Sequence, residues 1–161
     1  MLKLYYSPGA CSLASHIALN EAGLAYEAVK VNLGTKQAAN GADYLAVNAK
    51  GYVPALVLDD GGVLTESAVV LQFIADQNPG SGLAPAHGTF ARYRLAEWLN
   101  FIATEIHKGF GPLWNAANTD AVKDAARKSL FGKFDYVDKR LASTPYLMGD
   151  TFTVADAYLF T

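Results

Sequence analysis

The chain predicts an α/β unit built on a mixed four-stranded sheet, followed by an all-α unit. Three observations carry this. Short apolar runs with strand periodicity alternate with helical stripes over residues 1–78. Strand signals then cease. Between the two regimes lies a concentration of helix breakers, Asn78-Pro79-Gly80-Ser81-Gly82. The implied division is an α/β part over 1–78, a connection over 79–87 and a helical part over 88–161.

Leu2–Tyr6 reads as a short apolar strand, Ser7-Pro8-Gly9-Ala10 as a turn, and from Ser12 the spacing is helical, with Leu13 and Ile17 one turn apart. In Glu27–Leu33, Val29, Val31 and Leu33 alternate with Lys30 and Asn32, the pattern of a half-buried strand. Gly34–Asn48 predicts a loop with a short irregular helix. Ala55–Leu58 is a continuous apolar run, Asp59-Asp60-Gly61-Gly62 a turn, and Val63–Thr65 the returning strand of a hairpin. Ser67–Asn78 carries Val70, Phe73 and Ile74 on one helical stripe. A crossover helix demands a parallel pair and a tight turn an antiparallel one, so the sheet is mixed, with helices expected on both faces. This is the pattern of a thioredoxin-like domain.

Beyond the connection, Thr89–Lys108 carries Trp98, Leu99, Ile102 and Ile106 at helical spacing, with Gly109 and Gly111-Pro112 expected to end the helix. Asp120–Leu141 places Leu130, Phe134, Val137 and Leu141 at alternating steps, a seam for a neighbouring helix. Thr153-Val-Ala-Asp156 has the layout of a capping box and starts a last, short helix. That helix is apolar nearly all round, which belongs in an interior. The expectation is therefore a helical part that is incomplete, with an exposed apolar surface around Tyr158–Phe160.

Composition narrows the function classes. The 161 residues are 52% hydrophobic and 17% charged, enough for a sizeable core. A net charge of −2 argues against a nucleic-acid surface. No run approaches the roughly 20 apolar residues that span a bilayer, and none has the form of a signal peptide. The single cysteine permits no internal disulfide, and a cytoplasmic location is expected.

That cysteine, Cys11, falls at the junction of the first strand and helix. Free N–H groups and the helix dipole favour an anion there, so the position suits a thiolate. It equally suits a small buried hydrophobe. Other candidates carry similar pairs of readings. Val53-Pro54 alone reads as an ordinary trans proline starting a strand. Glu66-Ser67 reads as a plain helix cap, or as a carboxylate and hydroxyl that hold an ammonium and a carboxylate. His107 and Lys108 complement a helix C-terminus, or act on a bound thiol. His16 reads as structural.

The segments YYSPGACSLASHIAL, GYVPAL, LTES, WLNFIATEIHKGF and FTVADAYLF, in that order and spacing, resemble those of cytosolic glutathione transferases, and within them the bacterial beta class. The resemblance covers Leu2–Thr161. It implies a thioredoxin-like domain followed by a helical domain that continues in other members with further helices. It also implies a cis Val53-Pro54 bond and a glutathione site drawn from Ala10, Cys11, Lys36, Val53, Pro54, Glu66, Ser67, Asn100, His107 and Lys108. Asn100 in that set can act from a partner subunit. Cys11 and His107 are the implied catalytic residues. Glutathione is implied as co-substrate with a small hydrophobic electrophile, in a detoxifying homodimer with no prosthetic group, no metal, and no nucleic-acid or membrane partner. Two rival functions are a thiol–disulfide reductase working through Cys11, with Ala14 where a resolving cysteine would stand, and a non-catalytic binder of glutathione or hydrophobes.

Overall fold

The computed structural model describes all residues, Met1–Thr161. Strands β1 (Leu2–Tyr6), β2 (Tyr26–Asn32), β3 (Gln37–Ala38), β4 (Ala55–Val57) and β5 (Val63–Thr65) form one sheet in the order β3-β2-β1-β4-β5. β1 and β2 run parallel, with Leu4 opposite Ala28, and β4 lies antiparallel to β1, with Leu4 opposite Leu56. β5 returns antiparallel on β4. The sheet is mixed as expected but has five strands, not four. The extra strand, β3, pairs only Ala38 with Val31 and Gln37 with Asn32, too short to carry a period.

Successive side chains of a strand point to opposite faces, and each face here has its own core. Leu4 and Leu56 are fully buried beneath α1 (Ser12–Glu21) and α2 (Ser67–Gln77). Tyr5, Val29, Val31 and Ala55 point the other way. That second face is not covered by a helix, contrary to expectation. A single 3-10 turn, Tyr44–Ala46, closes it, with Tyr44 fully buried and its hydroxyl donating to the Tyr52 carbonyl at 2.6 Å.

The helix α1 does not bury the Leu13–Ile17 stripe. Leu13 is exposed, and the buried positions are Ser12, Ala14, Ser15, Ala18 and Leu19. Small residues on that face let the helix approach the sheet and α2 closely, so the larger side chains project outward. The α2 stripe holds better: Val70, Leu71, Ile74 and Ala75 are buried, while Phe73 is only partly so.

After a 3-10 turn at Pro79–Ser81, α3 (Phe90–Phe101) begins, capped by the Thr89 hydroxyl, which accepts from the Arg92 N–H at 3.2 Å. It buries Leu95 and Leu99, and Ile102 and Ile106 continue the stripe. The helix does not stop at the glycines. It passes through a π-turn (Ile102–His107) and a 3-10 turn (Lys108–Phe110) into α4 (Gly111–Trp114). Pro112 sits in the first turn of α4, where its missing N–H is no loss. Gly109 answers to packing: a Cβ there would lie 2.7 Å from Leu130 Cδ2. The helix α5 (Asp120–Leu141) buries Leu130 and Val137, whereas Phe134 and Leu141 of the expected seam remain exposed at its margins.

The last helix, α6 (Val154–Leu159), packs on both α1 and α2. A core of twenty buried residues therefore runs continuously from Leu4 to Tyr158, through both parts of the chain. Asp156 reaches back as the sequence predicts. Its Oδ2 accepts from the Thr153 N–H at 2.8 Å and from the Thr153 hydroxyl at 2.9 Å, and its Oδ1 accepts from the Leu147 N–H at 2.8 Å. The expectation of an exposed apolar surface around Tyr158–Phe160 holds only in part. Phe160 is exposed, but Tyr158 is buried, because α6 turns it inward under α3's continuation.

Candidate active site

A cleft of about 560 Å³ opens where the turn before α1, the loop before β4 and the start of α2 face the Ile102–Trp114 stretch and α6. Its size is that of a small-molecule site. Cys11 stands at its floor as the residue preceding α1, yet its side chain makes no capping hydrogen bond. The sulfur does not turn to the helix N–H groups as position alone suggests. The thiol donates to the Val53 carbonyl at 3.5 Å and accepts from the Ser67 hydroxyl at 3.5 Å. Three segments far apart in the chain thus converge on one sulfur.

Val53-Pro54 is a cis peptide, as the resemblance implies. The Val53 side chain is buried in the second core, which leaves its backbone on the cleft wall. Beside it, Glu66 has φ 71° and ψ 114°, a region that L-residues rarely occupy and that costs about 1–3 kcal/mol to hold. Such strain needs support from its surroundings. Here Lys50 supplies an ion pair to Glu66, and the Glu66 carbonyl accepts from the Val69 and Val70 N–H groups at 2.9 Å. The first N–H groups of α2 are left facing the cleft beside Ser67, a position that favours an anion.

The opposite wall comes from the helical part. His107 lies on the cleft with its ring 6.1 Å from that of Tyr158. One edge of the imidazole reaches solvent, but the cleft wall desolvates the rest, and with the Lys108 charge this pulls its pKa below the usual histidine value. His107 is therefore neutral near pH 7. Lys108, Phe110 and Trp114 extend the wall outward.

Of the residues singled out in the sequence, Ala10, Cys11, Val53, Pro54, Glu66, Ser67, His107 and Lys108 meet in this cleft. Lys36 and Asn100 do not line it. Lys36 donates to the Gly51 carbonyl at 2.9 Å and lies 5.9 Å over the Tyr52 ring, at the cleft's edge. Asn100 is exposed on α3. His16 is outside the cleft, with Nδ1 3.0 Å from the Tyr26 hydroxyl, in keeping with its structural reading. Sequence reasoning missed Lys50, Trp114 and above all Tyr158, which lay in a stretch marked only as apolar. No group of three or more His, Cys, Asp or Glu side chains stands together to hold a metal ion.

The strand order, the cis-proline beside the cysteine that precedes α1 and the α2 N-terminus on the same cleft define a thioredoxin-like fold joined to a helical part. Comparison with known proteins narrows this. Residues 9–77 match the family model of the glutathione S-transferase N-terminal domain, and residues 120–161 that of the C-terminal domain. The chain is 49% identical over 160 residues to glutathione S-transferase GstA of Escherichia coli O157:H7, covering 99% of this chain and 80% of that one. It superposes on a glutathione transferase from Methylococcus capsulatus with a TM-score of 0.96 at 61% identity, over 99% of this chain and 79% of that one. A sphingomonad glutathione S-transferase complexed with glutathione gives 0.95 at 51% identity, over 98% and 79%. The chain belongs to the glutathione S-transferase family.

Proposed function

We propose that the protein is a glutathione transferase that joins the glutathione sulfur to small hydrophobic electrophiles. The observation that carries this is the convergence of Cys11, Val53 and Ser67 on one point of a peptide-sized cleft. In this reading the Val53 backbone pairs with the extended peptide. Ser67 and the free N–H groups of α2 hold the γ-glutamyl carboxylate, and Glu66 holds its ammonium in place of, or alongside, Lys50. Ala10, Pro54, Lys36 and Lys108 complete the glutathione side, with Asn100 contributing to a partner's site. The glutathione thiol gives up its proton, neutral His107 being the nearby acceptor. The thiolate then forms a C–S bond to the electrophilic carbon as the leaving group departs with its electron pair. Phe110 and Trp114 supply the apolar wall for the electrophile.

A cytoplasmic, detoxifying homodimer without a prosthetic group completes the proposal. The homodimer is supported by the exposed aromatic side chains Phe90 and Tyr93 on α3. The alternative of a reductase working through Cys11 alone, which needs no resolving cysteine at Ala14, is not favoured, since the relatives and solved structures most like this chain are glutathione transferases. The test is glutathione binding and turnover of an aromatic halide by this chain, with the Cys11→Ala variant alongside. The expected result is binding with turnover. Binding without turnover would leave only the binder. Loss of disulfide reduction in Cys11→Ala, with conjugation retained, would mark Cys11 as a redox residue.

A further inference from the structure

We propose that Lys133 of α5 is a positioning residue for His107: it holds the π-turn Ile102–His107 open from behind and so aims the imidazole into the cleft. The consequence for turnover rests on the reading of the cleft as a glutathione transferase site; the placement of the ring does not.

A π-turn closes its hydrogen bonds over five residues, not four, as the Lys108 N–H does to the Ala103 carbonyl. It takes up one residue more than an α-turn, and each residue of a helix rotates the chain by about 100°. His107 is the last residue of the turn, so its direction depends on whether that extra residue is kept. In an unbroken α-helix the imidazole would point about 100° away from its present direction.

The wide ladder is the rarer form of helix, and side-chain donors hold it here. The Thr104 hydroxyl donates to the Asn100 carbonyl at 2.9 Å. Lys133 Nζ donates to the Glu105 carbonyl at 3.0 Å and lies 3.0 Å from the Glu105 carboxylate. A side-chain donor inserted among the helix carbonyls draws the ladder away from α geometry. Lys133 differs from Thr104 in coming from another helix, 28 positions along the chain, so it fixes the turn against α5. Its side chain is 24% exposed, which leaves the ammonium few other places to go.

The same helix touches the same stretch again, one turn earlier. Leu130 Cδ2 stands where a Cβ at position 109 would come within 2.7 Å of it. Leu130 and Lys133 share a face of α5 at i, i+3 spacing. Their contacts fall at positions 105 and 109, on either side of His107. The ring is therefore held from behind at both flanks while it meets the cleft, 6.1 Å from the Tyr158 ring. Neither Lys133, Leu130 nor Glu105 lines the cleft, so any effect they have on a bound molecule passes through the turn.

Lys133→Met removes the ammonium and keeps the stem, and Lys133→Arg restores a donor. The expected result for Lys133→Met is a fall in kcat of about tenfold with glutathione KM within about twofold, the pattern of a displaced group that acts on the transition state and not on binding. Lys133→Arg should recover most of the loss. The nuclear Overhauser contact between the His107 and Tyr158 rings should weaken in Lys133→Met and return in Lys133→Arg. In a His107→Gln background, Lys133→Met should cost nothing further, because the group it positions is gone. Wild-type kcat with an unchanged ring contact in Lys133→Met would overturn the proposal. So would an equal loss of kcat with and without His107, which would assign Lys133 to general stability. Wild-type protein that neither binds nor conjugates glutathione would overturn the functional reading, while the ring contact in Lys133→Met would still decide the placement of His107.

Discussion

Replacing Asp156 with alanine should remove the strongest local fastening of the helical part. The carboxylate accepts three hydrogen bonds, from the Thr153 N–H, the Thr153 hydroxyl and the Leu147 N–H, all at 2.8–2.9 Å. Leu147 is fully buried and Thr153 is 3% exposed, so water cannot replace the lost acceptor without disturbing the core. The Thr153 hydroxyl can rotate to another partner, but the two N–H groups cannot. Each buried donor left unpaired costs about 1–3 kcal/mol, with bonds to a charged group in the upper part of that range. Two of them give about 4 kcal/mol, a large share of the roughly 5–15 kcal/mol by which domains are stable. For a chain of this length that is a fall in Tm of about 8–16 °C. Urea unfolding followed by far-ultraviolet circular dichroism measures it, and an unchanged m-value shows that the same surface is exposed on unfolding. Asp156→Asn, which retains one acceptor oxygen, should lose less. A loss under about 1 kcal/mol in Asp156→Ala would refute the reasoning, because it would mean that those N–H groups are satisfied elsewhere.

Arg92 should be the next most costly side chain to remove. It is 6% exposed and grips Asp76 of α2 with two bonds of 2.8 Å, while Nε reaches Gln72 at 3.3 Å. Arg92→Met should destabilise by about 2–4 kcal/mol, somewhat below the usual cost for a fully buried pair because Asp76 is partly exposed. Chemical denaturation measures this, and a neutral result would deny the clasp. Burial pushes the Asp76 carboxyl up, but hydrogen bonds and charge from Arg92 and His87 outweigh it, leaving the pKa below the ordinary value. A depressed folded pKa means that this contribution is complete above about pH 4 and is lost as pH falls through the folded value. Asp76→Asn should flatten that part of the acid-stability curve. For His107 the folded pKa also lies below the unfolded one, so its contribution is complete above about pH 6.5 and declines as pH falls through the folded value. Its NMR titration should give a midpoint below about 6.5, and Lys108→Met should move it upward. A midpoint at or above that of a free histidine would contradict the desolvated cleft wall.

Much of the fold was legible because its signals are local. The break at Ser7-Pro8-Gly9, the Asp59–Gly62 turn and the Thr153–Asp156 cap each involve residues a few positions apart, so spacing alone reveals them. The same locality explains the misreadings. A two-residue strand such as β3 has no period, and only its register against Val31 and Asn32 defines it. Gly109 looks like a helix breaker until Leu130, on another helix, is seen to occupy the space of its missing side chain. The Leu13–Ile17 stripe was apolar and correctly spaced, but the closeness of α1 to the sheet selected the small residues Ala14 and Ala18 instead.

For the site, the sequence by itself determined the chemical inventory: a lone thiol before a helix, a Val-Pro pair, an acidic residue and serine opening another helix, and a histidine on the long helical stretch that follows the connection. It could also place each on its element, because caps and turns are written in neighbouring residues. Only the tertiary structure decided which of them share a cleft. It turned the Cys11 sulfur toward Val53 and Ser67 and away from its own helix, paired Glu66 with Lys50, left Asn100 outside, and brought in Tyr158. The physical reason is one of range. Backbone propensity and capping act over a few residues, whereas the meeting of residues 11, 53, 67 and 158 depends on how the sheet and the helices bury a common core.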